Sequence, residues 1–302
     1  MSGAAAALAE RIRESGALRV AFLGLAKNVG KTTALLSVLE EMHRRGIVAG
    51  TTSAGRDGEP FDAITGEPKP RFRVWPKQLI ASASSTFESA DVETVEIATL
   101  PFSTRFGLVQ LRRVEGPGEI EVIGPSTVSQ IGDVALGLEA AGAAILLLDG
   151  AVGRRAFACA RIADGIVLSV GLAAGASLEG TLAAARAAVE LIRLPAATPG
   201  ASCRSYDGAL TEAVLAENPP RRDETLVCED FAAIFLSPAA RRRLSDQGVS
   251  LAVRHPARLL AMTANPRAPA RPPFPAAMFF EALRGEFRQT PVFDLVADLR
   301  SG

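Results

Sequence analysis

One stretch near the N-terminus constrains this chain more than any other: "LRVAFLGLAKNVGKTTALLSVLEEMHRRG", residues 18–46. The apolar run at 18–24 has the length and composition of a buried strand. From Lys31 the spacing becomes helical, with Leu35, Leu36, Leu39 and Met42 on one face and Gly46 as the stop. Between them lies a loop bounded by Gly24 and Gly30. A second apolar run, "IVAGTTSAG" (47–55), follows. Two strands joined through a helix pack parallel by a right-handed crossover, so the loop falls at the C-terminal edge of a parallel sheet.

The same alternation returns further on. Residues 143–150 ("AAILLLDG") and 164–171 ("DGIVLSVG") read as strands buried on both faces, and 127–142 and 177–194 as helices. In the middle, "FGLVQLRRV" (106–114) and "EIEVIG" (119–124) flank Glu115–Gly118, which predicts a hairpin and an antiparallel part of the sheet. Composition shifts at "PAATPGASC" (195–203). Beyond it, strands are expected at 224–230, 258–266 and 290–298 and helices at 237–248 and 275–287. The expected fold class is α/β, a three-layer P-loop NTPase fold with a mainly parallel sheet, an antiparallel insertion and a C-terminal α/β extension. The expected division is residues 1–196, with the hairpin inserted at about 100–125, and 197–302, the second part either a separate domain or a continuation of the main sheet.

The loop has the residues that a nucleotide's phosphate tail needs. Backbone N–H groups in a tight glycine loop approach phosphate closely, and the positive end of the following helix adds to them. The cofactor-binding candidates are Gly24, Lys27, Asn28, Val29, Gly30, Lys31, Thr32 and Thr33. Gly30 permits close approach, Lys31 bridges the β- and γ-phosphates, and the Thr32 hydroxyl ligates Mg²⁺. Five residues separate Gly24 from Gly30 where the common pattern has four, which fits the longer G-x5-G-K-T variant. Of the 33 basic residues only four are lysines, Lys27, Lys31, Lys69 and Lys77, and two of these lie in the loop. Where mere charge serves, the chain uses arginine; a compact ammonium fits a phosphate cradle where a planar guanidinium does not.

Mg²⁺ between phosphates takes a carboxylate from a neighbouring strand end. Asp149 closes the run 143–150 and is the first metal candidate beside Thr32; Asp57, in "SAGRDGEPFD", is the second. Arg56 is a further phosphate candidate, and Arg154 and Arg155 serve either a γ-phosphate or a partner surface, or form a solvated pair. No N-K-x-D or T-K-x-D guanine reader occurs, which favours ATP over GTP. Asn265 ends an apolar strand and is read either as a contact to a base edge or as a plain Asn-Pro turn.

Other chemistry finds little footing. The only histidines are His43 and His255, and Cys159, Cys203 and Cys228 are scattered, which gives neither zinc spacing nor a disulfide framework and suits a reducing cytoplasm. His43 lies near a helix C-terminus, where it complements the dipole. Basic and acidic residues balance at 33 each, so no global field favours nucleic acid or an acidic membrane surface. No apolar run approaches membrane-spanning length, and the alanine-rich start meets Glu10, Arg11 and Arg13 too soon for a signal peptide.

Together, "GLAKNVGKTT", "TSAGRDGEPFD", "GPSTVSQI", "LLLDGAVGRRAF", "VCEDFAAIFLSP" and "LLAMTANPRAP" with "VFDLVA" resemble the P-loop subunit of the lysine 5,6-aminomutase reactivase family, over residues 18 to 298. The loop alone equally resembles the molybdopterin-guanine-dinucleotide adapter proteins, and "DGIVLSVGLAAGASLEGTL" resembles dethiobiotin synthetase. The reactivase resemblance implies an ATP-binding chaperone subunit, weakly hydrolysing, that acts with a second, MutS-like ATPase subunit. Its implied client is an aminomutase that uses adenosylcobalamin and pyridoxal phosphate, from which damaged cobalamin is released. The site roles it carries are limited to Lys31, Thr32 and their loop neighbours, with Asp149. Two alternatives stand beside it: an ATP-dependent small-molecule enzyme of the dethiobiotin synthetase type, and a non-catalytic P-loop adapter.

Overall fold

A computed structural model of the 302-residue chain describes residues 3–53, 71–150, 162–198, 202–267 and 274–295. In chain order its elements begin with α1 (Gly3–Glu14), β1 (Arg19–Gly24), α2 (Lys31–Arg44), β2 (Ala49–Ser53), β3 (Phe72–Val74), β4 (Leu79–Ala83) and α3 (Ser84–Glu88). There follow β5 (Thr94–Thr104), β6 (Gly107–Val114), β7 (Gly118–Ile120), α4 (Val128–Ala140), β8 (Ile145–Asp149), β9 (Gly165–Gly171) and α5 (Leu178–Ile192). The last are β10 (Cys203–Tyr206), β11 (Leu210–Thr211), α6 (Glu212–Glu217), β12 (Thr225–Cys228), β13 (Ile234–Phe235), α7 (Pro238–Asp246), β14 (Ser250–Val253), β15 (Leu259–Asn265), α8 (Ala276–Glu286) and β16 (Val292–Phe293).

Nine strands form one sheet in the order β16-β15-β9-β1-β8-β2-β4-β6-β5. From β16 to β4 every pairing is parallel; β6 and β5 add an antiparallel edge. Successive side chains of a strand point to opposite faces. In β1, Val20 and Phe22 join the apolar cluster under α1 and α2, while Ala21 and Leu23 join the cluster under α5 and α8. In β8, Ile145 and Leu147 face the first side, while Leu146 and Leu148 pack with Ile131, Val134 and Leu138 of α4. Helices therefore cover both faces, which makes a three-layer α/β fold and explains why β8 and β9 are mainly apolar and buried at every position. Among the described residues no helix is long and apolar enough to cross a membrane.

The antiparallel part is present, but its pairing differs from the expected hairpin. β6 pairs with β5 on one side and β4 on the other; β7 pairs instead with β3. The reason lies in which core each run fills. Val109 and Leu111 of β6 pack under α4, whereas Ile120 of β7 joins Phe72 and Val74 in the cluster under α1 and α2. Val114, the last residue of β6, already lies in the same cluster as Ile120, and from there the chain runs on to pair with β3 and does not fold back on β6.

After α5 the chain leaves the main sheet. β10, β12 and β14 form a three-stranded parallel sheet, and Ala196 bridges to Val253 beside it. β15 and β16 then return to the main sheet next to β9. Residues beyond 196 thus supply both a small sheet and two strands of the large one. Leu226, Cys228 and Val253 of the small sheet share one apolar cluster with Leu168 of β9 and Phe279 of α8.

Candidate functional site

β1 ends at Gly24, and the next six residues curl back to deliver α2 from Lys31. Two conformations turn the chain: Asn28 has φ 60° and Gly30 has φ 89°, both left-handed. Glycine meets no Cβ penalty there, and asparagine is among the few other residues that tolerate it. Val29, between them, is buried against backbone that lacks side chains. A Cβ at Gly24 would stand 2.8 Å from its Cγ2, and one at Gly171 would stand 3.0 Å from its Cα. The Leu25 N–H donates to the Ser169 carbonyl at 3.2 Å, which ties the loop to β9. Lys27 and Asn28 are exposed at the tip.

Gly30 is the N-cap of α2, with no side chain capping the helix. By contrast, Thr127, Ser177, Thr211 and Ser237 each accept a backbone N–H bond at the starts of α4, α5, α6 and α7. The first intrahelical bond of α2 runs from the Ala34 N–H to the Gly30 carbonyl at 2.9 Å, so the N–H groups of the preceding turn have no carbonyl partner within the helix. An uncapped helix start with a small, bent loop before it suits an anion.

Lys31, at that helix start, pairs with Asp149 Oδ1. Asp149 closes β8 and lies in register with Phe22 of β1 and Ser53 of β2. Its side chain is 4% exposed and that of Lys31 14%, so the pair is largely withdrawn from water. Thr32 and Thr33 follow in the first turn, half-buried. One edge of the sheet therefore gathers the loop backbone, a cation, two hydroxyls and a carboxylate.

The chain matches no family model, no curated protein and no solved structure. What the site does is therefore argued from its own geometry. Of the residues expected from the sequence, Gly24, Lys27, Asn28, Val29, Gly30, Lys31, Thr32, Thr33 and Asp149 come together. Asp57, Arg56, Arg154 and Arg155 lie outside the described residues. β2 ends at Ser53, whose Oγ donates to the Val122 carbonyl at 2.7 Å and accepts from the Gly124 N–H at 3.2 Å.

Two features of this edge carry no motif. Thr263 Oγ1 of β15 donates to Ser169 Oγ of β9 at 2.8 Å, a buried hydroxyl pair beneath the loop. Asn265 engages the loop itself, at Asn28. Both depend on β15 lying beside β9, which strand spacing in the sequence does not specify. Elsewhere, His43 stacks on Trp75 with ring centroids 5.7 Å apart. Cys203 and Cys228 are free thiols, and burial pushes the Cys228 thiol up to about 11, which leaves it a small apolar side chain. Among the described residues no group of three or more His, Cys, Asp or Glu is placed to hold a metal. The described residues thus build no bare-protein metal cage, whereas Mg²⁺ bound mainly by phosphate oxygens and water needs only one or two protein ligands.

Proposed function

We propose that this chain binds ATP with Mg²⁺ at the loop of residues 24–33 and that the bound nucleotide operates a reactivating chaperone. The observation that carries the nucleotide reading is the junction of left-handed Gly30, the uncapped start of α2 and the Lys31–Asp149 pair at one sheet edge. The donor set fits the group: N–H groups of Lys27 to Thr33 and the Lys31 ammonium for phosphate oxygens, and the Thr32 hydroxyl with Asp149 for the cation, with Asp57 a second acid. When bound, Mg²⁺ neutralises phosphate charge and orients the terminal phosphate.

The ion pair gives the site a coupling of its own. Phosphate competes with Asp149 for Lys31, and once Lys31 leaves, Asp149 is a buried carboxylate in need of a positive partner. Mg²⁺ held by Asp149 and Thr32 would supply that partner, so nucleotide and cation would favour one another's binding. The reactivase assignment rests on the sequence resemblance: an ATP-binding, weakly hydrolysing subunit that works with a MutS-like ATPase subunit on a cobalamin- and pyridoxal phosphate-dependent aminomutase. Nucleotide shifts such a client only if the two nucleotide states bind it with different affinity.

The test is equilibrium binding of ATP and GTP, with and without Mg²⁺, to the wild type and to Lys31→Ala. Expected is Mg²⁺-dependent ATP binding, weakened by at least roughly tenfold in Lys31→Ala, the scale of a lost charge-assisted hydrogen bond. Absence of binding to either nucleotide sinks the reading. Hydrolysis stimulated by the aminomutase supports the chaperone role. Stimulation by a small metabolite alone replaces it with a synthetase-type enzyme, and full client reactivation by Lys31→Ala replaces it with an adapter.

A further inference from the structure

Asn265 ends β15, in register with Gly171 of β9, and β9 lies between β15 and β1. Because Gly171 has no side chain, Val29 rests on its backbone, and Asn265 reaches the loop beside it. Its Nδ2 donates to the Asn28 carbonyl at 3.1 Å, and its Oδ1 accepts from the Arg267 N–H at 3.0 Å. A carbonyl needs a donor and an N–H needs an acceptor, so these two partners fix which way the amide points. The same side chain stands 3.4 Å from where a Cβ would sit on Gly30.

The loop residue that Asn265 bonds, Asn28, and the one it stands beside, Gly30, are the two with left-handed backbone. These turns aim the loop's N–H groups, and a non-glycine residue holds such a conformation only where its surroundings impose it. Asn265 is itself held: it is 8% exposed, and Thr263, two residues before it, is bonded to Ser169 beneath the loop. Both polar ends of its amide are taken up by backbone partners.

We infer that Asn265 is a positioning residue that clamps the phosphate loop from the C-terminal strand, acting on the phosphate tail through Asn28 and Gly30. This rests on the nucleotide reading above and deepens it. It assigns to Asn265 a role independent of which base the nucleotide carries.

The experiment compares wild type, Asn265→Ala and Asn265→Asp by calorimetry, each with Mg²⁺ and one of three probes: ATP, GTP and inorganic tripolyphosphate, which has no base. Amide hydrogen exchange at residues 27–31 is followed without ligand. Asn265→Ala is expected to lose about three- to tenfold in affinity for every probe it binds, in equal proportion, as for one lost hydrogen bond. Asn265→Asp keeps the acceptor for Arg267 but loses the donor to Asn28, and is expected to lose at least as much. In both variants exchange at 27–31 quickens while α4 stays protected. If Asn265→Ala does not fold, Asn265→Asp carries the comparison. A loss confined to ATP or GTP, with tripolyphosphate unchanged, overturns the clamp in favour of base reading; so does unchanged exchange at 27–31. If the wild type binds none of the probes, the nucleotide reading fails, and the exchange measurement still decides whether Asn265 holds the loop.

Discussion

Lys31 and Asp149 each hold the other's charge in a place where neither is easily left alone. Removing one partner of such a pair strands the other, which is why the effect of Asp149→Asn depends on what else is bound. If the loop binds nucleotide as proposed, nucleotide entering the wild type without Mg²⁺ would take Lys31 from a carboxylate that is 4% exposed. In Asp149→Asn that opposition is absent, and Lys31 gains a partner only when phosphate arrives. ATP in the presence of a chelator is therefore expected to bind Asp149→Asn about tenfold more tightly than the wild type, a change of roughly 1.4 kcal/mol. Adding Mg²⁺ is expected to strengthen wild-type binding far more than that of the variant. Paired titrations with chelator and with Mg²⁺ measure both differences, and an equal gain from Mg²⁺ in the two proteins would refute the coupling.

Between elements, the start of β1 is fixed to α4 by Arg19, whose Nε and Nη2 donate to the two carboxylate oxygens of Glu139 at 2.6 and 2.7 Å. The Arg19 guanidinium holds the Glu139 carboxyl below its ordinary range. A carboxyl lowered by folding contributes stability that is fully present above its unfolded pKa, about 4.3. That contribution is lost as pH falls through the lowered folded value. Glu139→Gln is thus expected to cost about 0.5–1 kcal/mol at neutral pH, a figure reduced for a pair one-fifth to one-third exposed. The gap to wild type should close in acid, as chemical denaturation from pH 7 to pH 3 would record; a gap independent of pH would mean the carboxylate charge is not what matters. The elements that the sequence made legible are those with two covered faces. β1, β8, β9 and β15 are buried along almost their whole length and mainly apolar because helices pack on both sides. β5 escaped because it is the outer edge, where Val95 and Ile97 are exposed and Pro101 is tolerated for want of a neighbour to bond. On α2, Val38 is buried where the pattern favoured Leu36, since the sheet covers the stripe through Leu35, Val38, Leu39 and Met42. Lys31 and Asp149 were readable as members of one site, though not as an ion pair, because parallel strands bring their C-terminal ends to one edge. The Asn265 contact was not, because it requires the strand order β15-β9-β1, and strand order is long-range information.

Across the whole molecule the main sheet is the shared wall of its cores. Val167 of β9 packs under α1 and α2, while its neighbours Ile166 and Leu168 pack on the opposite side with α5, α8 and the small sheet of β10, β12 and β14. The same strand cannot lose one layer without exposing the other, so the two faces should unfold together. Phe279 of α8 and Trp75 test this, because they lie on opposite faces: Phe279 is fully buried in the cluster under α5 and α8, and Trp75, the single tryptophan, packs against the cluster under α1 and α2. Phe279→Ala is expected to cost about 3–5 kcal/mol, as for a large side chain removed from a packed core. The loss should move the Trp75 fluorescence transition and the far-ultraviolet ellipticity transition to lower denaturant by the same amount. A Trp75 transition that stays in place while ellipticity shifts would show that the layers unfold separately. In that case the residues after 196 could loosen without disturbing the loop. Coincident transitions would instead mean that β15, with Asn265 at its end, transmits any strain on the C-terminal half to the loop between β1 and α2.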